Sequence, residues 1–205
     1  MEQLLILRKH DELCKLKSGS RNETCGLHDE EVQHLAYLAY HIPRGGDIVD
    51  VGSHKGKSIC VSGTAVLERG NIKARLFAID LWTDGKTTYK NQRSPAAKAK
   101  FYEQVEQMGL TDRIRVLQTS SLKAASKRGK PIHLLFLDAS HKYASVLADY
   151  KVWSRFVAPG GHIALHDYGT RFKGVDRVVE EEAIPSGLWD DIHVYDRIWS
   201  ARRKW

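Results

Sequence analysis

Acidic, hydroxyl and imidazole side chains recur in this 205-residue sequence directly after short apolar runs. Asp50 and Gly52 follow the run beginning at Asp47, and Asp80 follows Arg75 to Ile79. Ser120 and Ser121 follow Ile114 to Leu117, Asp138 follows Ile132 to Leu137, and His166 with Asp167 follow His162 to Leu165. In an open α/β sheet, ligands bind beyond the carboxyl ends of the strands. One strand-end aspartate is often no more than a helix cap, but five polar ends together predict a cleft. The turn D-x-G-x-x-x-G, from Asp50 to Gly56, suits a backbone that must pass close to a ligand. It departs from the dinucleotide fingerprint G-x-G-x-x-G, because Ser53 and His54 follow Gly52 and the next glycine is Gly56, so a pyrophosphate cofactor is disfavoured. An acid ending the second strand, Asp80, is set to accept hydrogen bonds from both ribose hydroxyls of an adenosine.

The elements that must hold these residues alternate between short apolar strands and helical patterns, the mark of a parallel sheet wrapped by helices. Val32, Leu35, Leu38 and Ala39 fall at helical spacing between His28 and Ile42, with Pro43, Gly45 and Gly46 as the stop. Further helices are expected over 57–67, over 96–108 after the Ser94-Pro95 start, over 143–157 up to the Pro159-Gly160-Gly161 stop, and over 174–183. Five strands alternate with them, and 192–195 and 198–201 add two more. The expected fold class is α/β: a doubly wound, mostly parallel seven-stranded sheet with helices on both faces and an antiparallel edge strand near the C-terminus. Residues 1–27 are expected to form a helical appendage, with a helix over about 2–16 as a dimer or lid element, and residues 28–205 the domain itself. The polar stretch 81–93, with Trp82 and Tyr89, reads as a loop that folds over the cleft.

Hydrophobic residues make up 42% and charged residues 28%, which excludes a disordered or fibrous chain. No apolar run approaches the roughly 18 residues a membrane span needs, nor is there a signal peptide, so a cytoplasmic protein is expected. Three cysteines without a C-x-x-C point to reduced thiols. His10, Cys14, Cys25 and His28 are zinc-ligand types, but their spacing matches no common finger, and ordinary helix and loop residues are the preferred reading. The net charge of +7 is compatible with an anionic partner, yet the basic residues are spread out, which favours solvated faces over nucleic-acid binding.

The segments IVDVGSHKGKS, AID and LLFLDASHKYASVLADYKVWSRFVAPGGHIALHDYG resemble class I S-adenosylmethionine-dependent methyltransferases. The closest look is to small-molecule O-methyltransferases of the macrocin and cephamycin-biosynthesis type, over about residues 30 to 203. The resemblance implies the Rossmann-like methyltransferase fold, with Asp50, Gly52, Ser53, Gly56 and Ser58 around the methionine end of the cofactor. It puts Asp80 on the ribose, Ser120 or Ser121 beside the adenine, and Asp138 at the reacting end. It also implies a magnesium ion held by Asp138 and Asp167, although His166 replaces the first member of the family's acidic pair. As a strand neighbour of Asp167, His166 is expected to point away unless the strand has already ended. His141 matches the family's proposed general base, and an ordinary imidazole pKa of about 6.5 would leave it mostly neutral at pH 7.

Two activation routes follow for a methyl acceptor: a hydroxyl bound to a metal at Asp138 and Asp167, or deprotonation by His141 alone. Oxygen rather than nitrogen as the acceptor atom rests on the resemblance. A nucleic-acid methyltransferase is the alternative, but DASH stands after the fourth strand where an amide-reading N-P-P-Y type motif would be needed.

Overall fold

A computed structural model describes residues 26–82 and 95–205. The elements run α1 (Asp29–Tyr40), β1 (Asp47–Val51), α2 (Lys57–Glu68), β2 (Arg75–Asp80), α3 (Pro95–Gln107), β3 (Ile114–Gln118), α4 (Ser121–Ala125) and β4 (Ile132–Leu137). They continue with α5 (Tyr143–Trp153), a 3-10 turn (Ser154–Phe156), β5 (Val157–Leu165), α6 (Lys173–Val178), a π turn (Val179–Ala183), β6 (Trp189–Tyr195) and β7 (Ile198–Arg203).

The strands form one seven-stranded sheet in the order β3-β2-β1-β4-β5-β7-β6. β1 to β5 are parallel, and β7 runs antiparallel between β5 and β6. The order reverses between β1 and β4, where a doubly wound sheet opens a crevice. Because successive strand side chains point to opposite faces, each buried strand feeds two cores. Ile48, Leu134 and Phe136 pack with Val32 and Leu35 of α1, Ile59 of α2 and Phe101 of α3. Val49, Val51, Leu135 and Leu137 pack with Tyr150 and Trp153 of α5 and Val175 of α6. No helix among the described residues is long and apolar enough to cross a membrane.

Three elements differ from expectation. The helix expected over 143–157 ends at Trp153, and Val157 already belongs to β5, so Pro159-Gly160-Gly161 lies inside a strand rather than after a helix. The pairing shifts from Ile132 opposite Val157 to Leu134 opposite His162, an irregularity that takes up the proline and glycines without ending the strand. Short α4 has only five residues, too few for a periodic pattern. Trp82, expected in a covering loop, is instead core: its ring lies edge-on to Phe101 at 5.0 Å and its Nε1 donates to the His54 carbonyl at 2.7 Å. An indole so anchored buries its area and satisfies its one donor. Residues 83–93 of that loop, the expected N-terminal helix, and His10, Cys14 and Cys25 lie outside the described residues. His28 is described, and its ring pairs with Asp196.

Candidate active site

The carboxyl ends of β1, β2, β4 and β5 open into a cavity of about 850 Å³ lined by Gly52, Asp80, Ser120, Asp138, His141 and Asp167 among others. That volume lies within the range of small-molecule and cofactor sites.

Gly52 begins the turn with φ +96°, and its N–H donates to the Ile79 carbonyl at 2.8 Å. A Cβ on Gly52 would overlap the Asp138 carbonyl oxygen, so glycine is what lets the β1 turn lie against the end of β4. The other turn residues shape this loop rather than line the cavity. Ser53 Oγ donates to the Asp50 carbonyl at 3.1 Å and accepts from Ile79 N at 3.2 Å, joining β1 to β2. Gly56 caps α2 at φ +89°, against Phe101. Ser58 Oγ donates to Asp50 Oδ2 at 2.6 Å. Asp50 lies one residue out of phase with Val49 and Val51, so its carboxylate turns toward α2 and is 1% exposed. Burial raises its pKa to about 7, with the charges of Asp138 and Asp80 adding to the rise. His54, whose φ is +45°, lines the cavity directly.

Asp80 faces the cavity with both oxygens fixed: Oδ2 accepts from His54 N at 2.9 Å and Oδ1 from Trp82 N at 3.0 Å. Each oxygen keeps a lone pair for a further donor. Ser120 caps α4 by accepting from Lys123 N at 3.3 Å, and Ser121 Oγ accepts from Trp153 Nε1 at 2.7 Å. Both serines line the cavity wall after β3.

At the ends of β4 and β5 four ionisable groups meet. His141 Nε2 lies 2.7 Å from Asp167 Oδ2 and 3.7 Å from Asp138 Oδ1, with its ring stacked on Phe172 at 4.0 Å. His166 Nδ1 lies 3.5 Å from Asp138 Oδ2 and 3.6 Å from Asp167 Oδ2. The expectation that His166 points away from Asp167 fails because β5 has ended at Leu165 and Asp167 takes φ +65°. Past a strand end the two-residue alternation no longer applies, and both side chains turn inward.

Hydrogen bonding to Asp138 and Asp167 raises the His141 pKa to about 9, so the ordinary imidazole value does not hold and the ring carries a proton at neutral pH. Burial pushes Asp138 and Asp167 up, but their bonds to His141 and His166 outweigh it and leave both carboxyls below the usual range.

Two contributors had no local sequence signal. Glu31 of α1 is fully buried, with Oε1 3.2 Å from His166 Nε2 and Oε2 accepting from Arg197 at 2.7 Å and from His28 N at 2.6 Å. Arg197, in the β6–β7 turn, also lies 3.6 Å from Asp167. Both come from parts of the chain remote from the strand ends they serve.

A doubly wound sheet with its cleft at the β1–β4 reversal and an acid ending β2 defines a Rossmann-like methyltransferase fold. A family model described as a methyltransferase domain matches residues 49–168, and the chain belongs to that family. It is an S-adenosylmethionine-dependent methyltransferase. No curated protein matches its sequence. Among solved structures, the O-methyltransferase from Bacillus cereus in complex with SAH is similar at TM-score 0.68 and 17% identity, covering 95% of this chain and 90% of that one. The O-methyltransferase NovP is similar at TM-score 0.67 and 15% identity, over 86% of this chain and 80% of its own. An rRNA methylase from Streptococcus thermophilus is similar at TM-score 0.61 and 12% identity, over 84% and 95%. At these identities the likeness is one of fold, shared by both kinds of enzyme.

Proposed function

We propose that the protein transfers the methyl group of S-adenosylmethionine to a hydroxyl of a small molecule, as the macrocin- and cephamycin-type enzymes it resembles do. The observation that carries this reading is His141 Nε2 standing between Asp138 and Asp167 at the edge of the same cavity that Gly52 and Asp80 line. Gly52 and His54 bring backbone close to the methionine end, Asp80 accepts from the ribose, and Ser120 and Ser121 lie beside the adenine. Asp50, Ser53, Gly56 and Ser58 hold the shape of the turn. Bound there, the cofactor would supply an electrophilic methyl on a sulfonium, which the acceptor oxygen takes in line as S-adenosylhomocysteine leaves.

The chain's own share is alignment and handling of one proton. Phe172 fixes the plane of the His141 ring, and the carboxylates fix where its Nε2 points. Those same carboxylates hold the resting proton on His141. The sulfonium charge that a bound cofactor would bring beside them would weaken that hold, so that His141 could release its proton to solvent and its Nε2 then accept the hydroxyl proton.

Magnesium, which the resemblance implies, does not fit the donors present. Two of the four groups converging here are imidazoles, whereas magnesium demands oxygen. No step is assigned to it.

Calorimetry with S-adenosylhomocysteine, using NAD as the control, followed by labelled methyl transfer to phenolic and aliphatic hydroxyl acceptors, tests this reading. Binding of the first without the second, and label recovered as a methyl ether, is the expected result. Label recovered only in RNA, with affinity falling by orders of magnitude between about 50 and 200 mM salt, would replace the small molecule with a nucleic acid.

A further inference from the structure

We infer that the methyl acceptor is a hydroxy acid, a compact molecule whose carboxylate or phosphate is held by Arg171 while its hydroxyl stands at His141 Nε2. Arg171 is then the residue that sets acceptor specificity. The inference names the substrate class of the site described above and rests on the function proposed for it.

The sheet order decides on which side an acceptor lies. Under that function the adenosine spans the ends of β3 and β2 and the methionine end lies over β1, three strands that are neighbours in the sheet. The rest of the cavity borders β4, β5 and the segment that follows β5. That segment, 166–172, brings Asp167, Arg171 and Phe172 to the cavity wall.

Its backbone is pinned by its own polar groups. Thr170 Oγ1 donates to the Asp167 carbonyl at 2.7 Å and accepts from Phe172 N at 3.2 Å. Asp176 of α6 accepts from Gly169 N and from Lys173 Nζ, each at 2.7 Å. On this frame Phe172 stacks on the His141 ring at 4.0 Å, and the Arg171 guanidinium carbon lies 5.1 Å from the centre of the Phe172 ring. A single aromatic ring relates the guanidinium to the imidazole, so a compact acceptor reaches both.

Charge pairing singles Arg171 out. Asp138 and Asp167 face the two imidazoles, Arg197 is held by Glu31, and Lys173 is committed to Asp176. Arg171 is exposed, lines the cavity, and makes no hydrogen bond or ion pair among the described residues. A guanidinium offers a planar fork of donors that matches a carboxylate or a phosphate two bonds at a time. Water satisfies that fork while the cleft is open, but an uncharged acceptor lying over it would strand the donors, and an acid would not. Arg155 supplies the internal comparison, because its guanidinium lies 5.2 Å from the centre of the following phenylalanine, Phe156, away from the cavity.

The test uses the full chain and labelled S-adenosylmethionine, with hydroxybenzoates and hydroxyphenyl phosphates as acceptors, each beside an uncharged counterpart: the methyl ester, the amide or the parent phenol. The acids are expected to show a kcat/KM at least tenfold above their counterparts, and the faster of the two acids names the anion. Arg171→Gln should raise KM for the acids by about tenfold or more and leave the uncharged acceptors within about threefold. Arg171→Lys, which keeps the charge and loses the fork, should fall between, and Arg155→Gln should match the wild type. S-adenosylhomocysteine affinity should stay within about threefold in every variant. Equal rates for acids and uncharged acceptors, no transfer to any acid, or an equal loss on both kinds in Arg171→Gln overturns the inference. So does a loss of S-adenosylhomocysteine affinity in Arg171→Gln alone, which would put Arg171 on the cofactor's own carboxylate. Cofactor binding with transfer only to uncharged hydroxyls sinks the hydroxy acid alone, whereas no cofactor binding, or label recovered only in RNA, sinks the proposed function itself.

Discussion

Gly174, in the first turn of α6, lies against the His141 backbone so closely that a Cβ there would overlap the His141 carbonyl oxygen and meet Tyr143 N at 2.5 Å. Both obstacles are main chain, so neither can rotate away. Gly174→Ala should therefore displace the segment carrying His141, and a shift of about 1 Å at a reacting group can cost about a hundredfold in rate. The expected outcome is a kcat at least tenfold lower with S-adenosylhomocysteine affinity within threefold of wild type. Gly129→Ala, where a Cβ meets nothing within 4 Å, is the control. Equal kcat in the two variants would remove Gly174 from any part in positioning His141.

Asp80→Ala should weaken cofactor binding by roughly ten- to a hundredfold, about 1.5 to 3 kcal/mol for a lost charge-assisted site. The variant also releases the His54 and Trp82 amides that Asp80 accepts from, so Asp80→Asn, which keeps one carbonyl acceptor, should lose less. Calorimetry on folded variants reads the order. Unchanged affinity in both would take Asp80 out of the cofactor site.

His141→Gln keeps size and hydrogen bonding but cannot carry the proton. A positioned proton acceptor contributes about a hundred- to ten-thousandfold, so kcat should fall by that range while cofactor affinity holds. Single-turnover methyl transfer checks it, and a loss below about threefold would mean that His141 serves only to pack on Phe172.

Stability should fall in mild acid through His34. Burial, with His193 and His162 nearby, lowers its pKa to about 4, and its Nε2 meets Ser200 Oγ at 2.7 Å while the ring stacks on Tyr195 at 4.1 Å. The unfolded chain takes up a proton near pH 6.5 that the folded one refuses. The contribution is thus complete above about pH 6.5 and is lost as pH falls toward 4, with a slope of at most about 1.4 kcal/mol per pH unit. Urea unfolding at pH 7.5 and pH 5 should show this loss in the wild type and a smaller one in His34→Gln. Identical losses would assign the slope to other groups.

Asp80, Asp138 and Asp167 were legible as candidate site residues because all carboxyl ends of a parallel sheet share one edge, so an acid after each apolar run lands beside the others whatever the helices do. The strand periods likewise fixed the two cores, since Val49 and Val51 must face opposite to Ile48. Other features depended on conformations that no local pattern encodes. His166 and Asp167 face one another only because β5 stops at Leu165 and Asp167 adopts φ +65°. Glu31 reaches His166 from 135 residues away, and Arg197 reaches Glu31 across 166. Local periodicity determines which residues form an element, whereas where some elements end, the direction of a side chain beyond that end, and the remote partner that holds it are decided only when the sheet closes and the helices pack.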